Sequence, residues 1–113
     1  MSSSTRQAVA AAKELITPLL KAADLKFAEE LFAIGSAVSD SKQLRNILSD
    51  PSAEIARKKA ALAAVFGKSV SSKSVDFVAK LVDLRWSSGQ DLVRALEQLA
   101  VHSVAAIAAK SNK

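Results

Sequence analysis

The sequence predicts an all-α fold, a compact six-helix bundle, and three observations carry this prediction. The 113 residues include 22 alanines but only three glycines and two prolines, and alanine favours helices while glycine and proline interrupt them. Apolar residues recur every three or four positions, which is the spacing that lines one face of a helix. The length suits one domain and is short for two, so residues 1–113 are expected to form a single domain.

The first helix is expected to begin near Ser3 or Ser4. Ser4 and Gln7 form a capping-box pattern, in which each side chain satisfies a backbone N–H of the other residue. Pro18 lies inside the apolar repeat that follows. Because proline lacks a backbone donor and clashes with the preceding turn, a kink or break is expected near Thr17.

The second helix is predicted from about Asp24 to Val38, and Ser39 or Asp40 is expected to cap a short third helix. A fourth helix is expected to start with Asp50 as its cap and Pro51 at its first position. Proline has no backbone N–H, but the N–H at that position has no acceptor within the helix, so nothing is lost. The third helix carries the apolar residues Leu44, Ile47 and Leu48, and the fourth carries Ile55, Leu62, Val65 and Phe66.

Glycine and serine mark the remaining boundaries. Gly67 is expected to end the fourth helix in the left-handed conformation, and Ser69–Ser74 forms a loop before the fifth helix. Ser88 is expected to cap the sixth helix, with Asp91 in its first turn. The apolar positions of the fifth helix are Val75, Phe77, Val78, Leu81, Val82, Leu84 and Trp86. They cover too much of the circumference for a surface helix, so this helix is either central in the bundle or docks a partner.

The formal net charge of +5 comes from 16 lysines and arginines spread along the chain. The only dense cluster is Arg57-Lys58-Lys59, and three consecutive helical residues point in three directions. No aromatic side chain stands beside them to stack on a base. A solvated helix face is therefore favoured, and a small basic helical module that binds nucleic acid is the alternative.

Few residues could support chemistry. Without cysteine, disulfides and thiol catalysis are excluded, and His102 has no ligating companion, which favours a structural or solvated histidine. Asp76 and Asp83 lie two turns apart with Lys80 between them, a pattern typical of an exposed salt-bridge stripe. No enzyme activity, catalytic residue, cofactor or metal is expected. No secretory signal and no run of about 20 apolar residues is visible, so direct membrane insertion is not expected either.

From residue 44 onward the order of residues resembles the delta subunit of F-type ATP synthases, whose mitochondrial relative is the oligomycin-sensitivity-conferring protein. Leu44, Leu48 and Pro51 match the family's Leu-x-x-x-Leu-x-x-Pro stretch. In that family a lysine follows the proline and a hydrophobic helix then ends near Phe-Gly. Lys58 or Lys59, followed by Phe66-Gly67, fits this order.

The fifth helix carries the most telling part of the resemblance. Phe77, Leu81 and Arg85 resemble, in that order, the phenylalanine, the second leucine and the arginine of the family's Asn-Phe-Leu-x-x-Leu-x-x-Asn-x-Arg helix, and residues 85–97 look like the actinobacterial branch. The first helix is a poorer match to the usual Arg-Tyr-Ala-x-Ala-Leu-Phe start. It keeps Arg6, Ala8 and Ala10 but lacks the tyrosine and the phenylalanine.

The resemblance implies a stator part rather than a catalyst. In the family, a six-helix N-terminal domain grips the N-terminal helices of alpha subunits in a groove between its first and fifth helices. A separate C-terminal domain binds the b-type peripheral stalk, and that domain would be absent here. The implied location is the cytoplasmic face of the cell membrane, as a peripheral part of the ATP synthase, with no nucleic acid partner. The isolated domain is expected to be a monomer.

The resemblance also implies which residues bind the alpha subunit. The expected partner-binding residues are Gln7, Ala8, Ala11, Leu15, Ala79, Val82 and Asp83. Phe77, Leu81 and Arg85 are expected to be structural, with Arg85 positioning the groove rather than lying in it. The small residues Ala8, Ala11 and Ala12 either allow a partner helix to approach closely or pack against the sixth helix.

Overall fold

Six α-helices follow one another in the computed structural model of the chain, which describes residues 3–111 and the side chains of residues 6–110. Every regular element within that described part is helical, which confirms the predicted all-α bundle. The helices are α1 (Ser3–Leu20), α2 (Leu25–Asp40), α3 (Lys42–Ser49), α4 (Ile55–Phe66), α5 (Ser72–Val82) and α6 (Gly89–Ser111).

The antiparallel pair of α2 and α6 forms the centre of the bundle. Near the middle of both helices, Gly35 lies against Leu96. At one end, the Lys110 ammonium donates a hydrogen bond of 3.1 Å to the carbonyl of Ala23, just before α2 begins. The helix α6 also contacts α1 and α3, while α5 packs against α1, α2 and α4. The large apolar side chains that are fully buried between them include Phe77, Ile16, Leu31, Ile34, Leu48, Leu62, Leu81, Leu92 and Leu96.

Among the residues described, α6 is long and apolar enough to cross a membrane by length and composition alone. Its apolar face is buried in the bundle, where Leu92, Leu96 and Ala100 are fully inaccessible to solvent. Packing against three other helices accounts for the apolarity of this face, while Val101 and Val104 on the same helix are exposed.

A kink or break was predicted near Thr17; the first helix runs through Pro18 and ends at Leu20, so the helix is not broken there. Pro18 falls in the last turn, where only one intrahelical hydrogen bond is lost. The Lys110 ammonium then stabilises the end of α1 by donating to the carbonyls of Leu20 and Lys21. The capping box predicted at Ser4 involves a side chain that lies outside the described residues.

The starts of α3 and α4 differ from the predictions. Ser41, rather than Ser39 or Asp40, caps α3 by accepting a hydrogen bond of 3.1 Å from the Leu44 N–H. Asp50 does not cap α4, because its carboxylate accepts from the hydroxyl and the N–H of Ser52 and so closes a turn before the helix. Hydrogen bonds from that hydroxyl and N–H lower the pKa of Asp50.

The end of α4 and both ends of α5 also differ. Gly67 has right-handed helical dihedrals and its N–H donates to the carbonyl of Ala63, so the predicted left-handed cap is wrong. The fifth helix begins at Ser72, inside the predicted serine loop, because Ser71 caps it. It ends at Val82 rather than near Trp86. The predicted start of α6 is confirmed, since Ser88 Oγ accepts from the Asp91 N–H at 3.1 Å.

Candidate partner-binding groove

A surface depression of about 260 Å³ lies where the first half of α1 passes the end of α5. It is lined by Gln7, Ala8, Ala11, Leu84 and Arg85 and is here called the α1/α5 groove. Its floor and walls are small or apolar, while a glutamine amide and a guanidinium supply its polar groups. An apolar groove with a few polar groups suits the apolar face of an amphipathic helix.

The α1 wall of the groove is shaped by small residues. Ala11 lies four positions after Gln7 and three after Ala8, the two spacings that make side chains neighbours on a helix surface. Ala8 is buried and Ala11 is half-buried, so their methyl groups leave room between α1 and the end of α5. Ala12 faces the core and is fully buried. One turn beyond Ala11, the half-buried Leu15 continues the apolar line along α1.

The α5 wall is formed by the two residues Leu84 and Arg85 that follow the end of the helix. Two side chains bind the last carbonyls of α5: Lys58 Nζ donates to Val82 O at 3.0 Å, and Trp86 Nε1 donates to Leu81 O at 2.9 Å. The Leu84 N–H also donates to Leu81 O. The final carbonyls of a helix have no partner within it, so these donors define how the chain leaves α5.

The structure corrects the prediction that Arg57-Lys58-Lys59 is a solvated basic face. Arg57 and Lys59 are exposed, but Lys58 is only 4% exposed. Lys58, Leu62 and Phe66 follow one another at intervals of four residues, so the lysine lies on the buried face of α4. That spacing is a sequence signal that could have identified the buried lysine. Because the cluster does not present three charges together, the structure offers no support for the nucleic-acid alternative.

The predicted partner-binding residues fall into three groups. Gln7, Ala8 and Ala11 line the groove, and Leu15 and Asp83 lie beside it, half-buried and exposed respectively. Ala79 and Val82 belong to the core, with at most 1% of each side chain exposed, and do not line the groove.

Of the three residues expected to be structural, two lie in the core and one lines the groove. Phe77 and Leu81 are buried in the core, whereas Arg85 is exposed and lines the groove rather than only positioning it. Sequence reasoning did not select Leu84 as a groove residue. Its only signal was an apolar residue immediately before Arg85.

A second polar cluster holds the other end of α5. The Glu30 carboxylate, 8% exposed, accepts hydrogen bonds from the Ser71 N–H at 2.7 Å and from the hydroxyls of Ser71 and Ser74 at 2.8 Å each. Burial by itself raises the pKa of Glu30, but the hydrogen bonds from Ser71 and Ser74 outweigh it, and the pKa is lowered from its ordinary value of 4.5. This carboxylate anchors Ser71, the residue that caps α5, and Ser74 in the first turn of the helix.

The other titratable residues singled out in the sequence are on the surface. Asp76, Lys80, Asp83 and His102 are all exposed. Within the described part of the chain, no group of three or more His, Cys, Asp or Glu side chains is arranged to hold a metal ion. The α1/α5 groove is the depression that lies where the family resemblance implies a partner groove.

A small all-helical domain with an apolar surface groove is an arrangement that occurs in modules that bind an amphipathic helix. Residues 19–110 match the family model described as the ATP synthase delta (OSCP) subunit, so the chain belongs to that family. This finding confirms the resemblance seen in the sequence.

Similar proteins named ATP synthase subunit delta come from several actinobacteria. The protein of Leifsonia xyli subsp. xyli is 40% identical over 98% of this chain and 42% of its own length. That of Streptomyces griseus subsp. griseus is 38% identical over 88% of this chain and 38% of its own length. That of Arthrobacter sp. is 35% identical over 96% of this chain and 39% of its own length. The chain thus spans about two fifths of the length of these relatives.

Proposed function

We propose that this chain is the part of an ATP synthase peripheral stalk that binds the catalytic head, by holding the N-terminal helix of an alpha subunit in the α1/α5 groove. The observation that carries the proposal is the groove itself, which lies between the two helices that the resemblance implicates. Membership of the delta family supports the same conclusion. The remaining length of the relatives leaves room for the domain that binds the b-type stalk subunit.

The proposed role is mechanical and non-catalytic. A stator must resist the torque on the head while proton flow drives rotation, so that ATP synthesis results. A densely packed core suits this task, because protein interiors transmit strain with little compression. The proposed location is the cytoplasmic face of the cell membrane, reached through the assembled ATP synthase, and the isolated domain is proposed to be a monomer.

The contacts proposed for the alpha helix follow from the lining of the groove. Ala8 and Ala11 allow the backbone of the partner helix to approach closely, and Leu84 adds apolar contact from the other wall. Burial of apolar area supplies most of the affinity. Gln7 and Arg85 are positioned to fix the orientation of the partner through hydrogen bonds, since polar groups at the rim of an interface give specificity.

Titration of the ¹⁵N-labelled chain with a peptide of the cognate alpha N-terminus tests the proposal. The amide signals of Gln7, Ala8, Ala11, Leu84 and Arg85 are expected to shift most. Ala11→Leu fills the groove and is expected to weaken binding about tenfold or more. Ala10→Leu is the matched control, because Ala10 is exposed on α1 outside the groove. Shifts confined to other helices, or equal affinities of the two variants, would contradict the proposal.

A further inference from the structure

We infer that Lys58, although it lies on α4 and outside the α1/α5 groove, is a positioning residue for partner binding. Its buried ammonium group holds the end of α5, and that end sets the places of Leu84 and Arg85 in the groove. The inference rests on the proposed function of the groove for its effect on affinity. Its structural part, the ordering of the α5 wall, is independent of any partner.

Lys58 is linked to the α5 wall of the groove by one hydrogen bond and a few residues of chain. Lys58 Nζ lies 3.0 Å from Val82 O, and Val82 is the last residue of α5. Leu84 and Arg85, two and three residues later, form the α5 wall of the groove. The hydrogen bond joins residues that are 24 positions apart. It therefore ties the wall to a helix that does not itself line the groove.

Burial makes this lysine difficult to replace. A buried ammonium group needs hydrogen-bond acceptors, because desolvation without them is costly. The end of α5 supplies one, since the terminal carbonyls of a helix carry a partial negative charge and lack partners within the helix. An apolar side chain of similar length could fill the same space, but it would leave the carbonyl of Val82 without this donor.

Trp86 provides a second tie from the other direction. Its indole N–H donates to Leu81 O, and its side chain is 4% exposed. The chain between Val82 and Trp86 is therefore held at its start by Lys58 and at its end by the buried indole. Leu84 and Arg85 lie inside this short segment, so loss of either tie is expected to loosen the same wall.

Amide hydrogen exchange of Lys58→Met tests the structural part without a partner. Lys59→Met is the matched control, because it removes the same charge from the adjacent, exposed position on α4. The Leu84 N–H, which donates to Leu81 O, is expected to exchange at least about tenfold faster in Lys58→Met and unchanged in Lys59→Met. Equal exchange in the two variants would overturn the inference.

Affinity for the cognate alpha N-terminal peptide tests the functional part. Lys58→Met is expected to bind about tenfold more weakly than the parent chain, and Lys59→Met within about twofold. Lys110→Met separates positioning from stability, because Lys110 donates to the carbonyls at the end of α1, away from the groove. It is expected to lower stability but to keep the affinity. A loss of affinity equal to that of Lys58→Met would show a merely structural effect.

If Lys58→Met does not fold, Trp86→Phe removes the indole donor together with part of the buried ring, and it is expected to speed exchange of the Leu84 amide. Unchanged exchange there overturns the inference. If the parent chain does not bind the peptide, the proposed function fails. The exchange comparison then still decides whether Lys58 orders the α5 wall.

Discussion

The carboxylate of Glu30 on α2 accepts a hydrogen bond of 2.8 Å from the hydroxyl of Ser74 on α5, 44 residues further along the chain. Glu30 also binds Ser71 at the start of α5, while Lys58 binds Val82 at its end. The fifth helix thus has a carboxylate from α2 at its N-terminus and an ammonium group from α4 at its C-terminus. This arrangement of charges complements the helix dipole. A helix of 11 residues is marginal alone. These contacts and the core packing fix its position.

Replacing Glu30 with glutamine is expected to lower the free energy of unfolding by about 1 to 3 kcal/mol at neutral pH. Glutamine has nearly the same shape but offers a single oxygen acceptor, so one of the donors from Ser71 and Ser74 is left without a partner in a buried site. Urea denaturation of the parent and the variant measures the difference.

The matched control for this change is Glu29→Gln, which removes the same charge from the neighbouring exposed position on α2. Its effect is expected to stay within about 0.5 kcal/mol, as for most surface substitutions. If the two variants are equally stable, the cluster around Glu30 does not hold α5 as described.

Acidification is expected to remove the stabilisation that Glu30 provides. Its pKa in the folded chain lies below the ordinary value of 4.5. Its contribution is therefore fully present above about pH 4.5 and is lost as the pH falls through the lower, folded value. Denaturation measured between about pH 6 and pH 3 should show the stability gap between parent and Glu30→Gln narrowing at the acid end. A constant gap would mean that Glu30 does not carry this dependence.

Gly35→Ala is expected to stabilise the chain by about 0.5 to 1 kcal/mol. Gly35 lies inside α2, where alanine is the better helix former. A methyl group there would lie 3.5 Å from the Cβ of Leu96, an ordinary van der Waals distance. Gly35→Leu is the contrasting variant, because its larger side chain would push α2 and α6 apart and destabilise the chain. Thermal unfolding measures both, and a lower Tm for Gly35→Ala would contradict the packing described.

Ser41→Ala is expected to cost about 1 kcal/mol, because it removes the side-chain oxygen that caps α3. Ser39→Ala is its control, since Ser39 lies two residues earlier, on α2, and does not cap α3. Its cost is expected to be below about 0.5 kcal/mol. Urea denaturation distinguishes the two residues, and a larger effect at Ser39 would support the cap that the sequence pattern favoured.

The helix starts show why local patterns were only partly sufficient. Ser39, Asp40 and Ser41 can all cap a helix in principle, but α2 continues through Ser39 and Asp40, so Ser41 is the residue that caps α3. Asp50 followed by proline has the chemistry of a cap, yet its carboxylate is used by Ser52. Ser88 caps α6 as predicted. Boundaries failed where two local hydrogen-bonding choices were close in energy.

The groove was partly predictable for a related reason. Gln7, Ala8 and Ala11 were identified through the family resemblance, and their spacing puts them on one face of a helix. Ala79 and Val82 were expected at the surface but lie in the core, because α5 is enclosed by α1, α2 and α4. The sequence showed that α5 is apolar over most of its girth. The sequence could not show which faces of α5 are buried by neighbouring helices.

The sequence by itself determined the number and order of the helices, the absence of thiol chemistry and the family to which the chain belongs. These properties follow from composition, local periodicity and residue order, which do not depend on how the chain packs. Only the tertiary structure decided that Lys58 is buried, that Glu30 anchors the cap residue Ser71, 41 residues away, and that Leu84 and Arg85 line the groove. These properties depend on contacts between distant segments. Whether a charged side chain is solvated or packs against another helix depends on how the helices pack together, which local sequence does not specify.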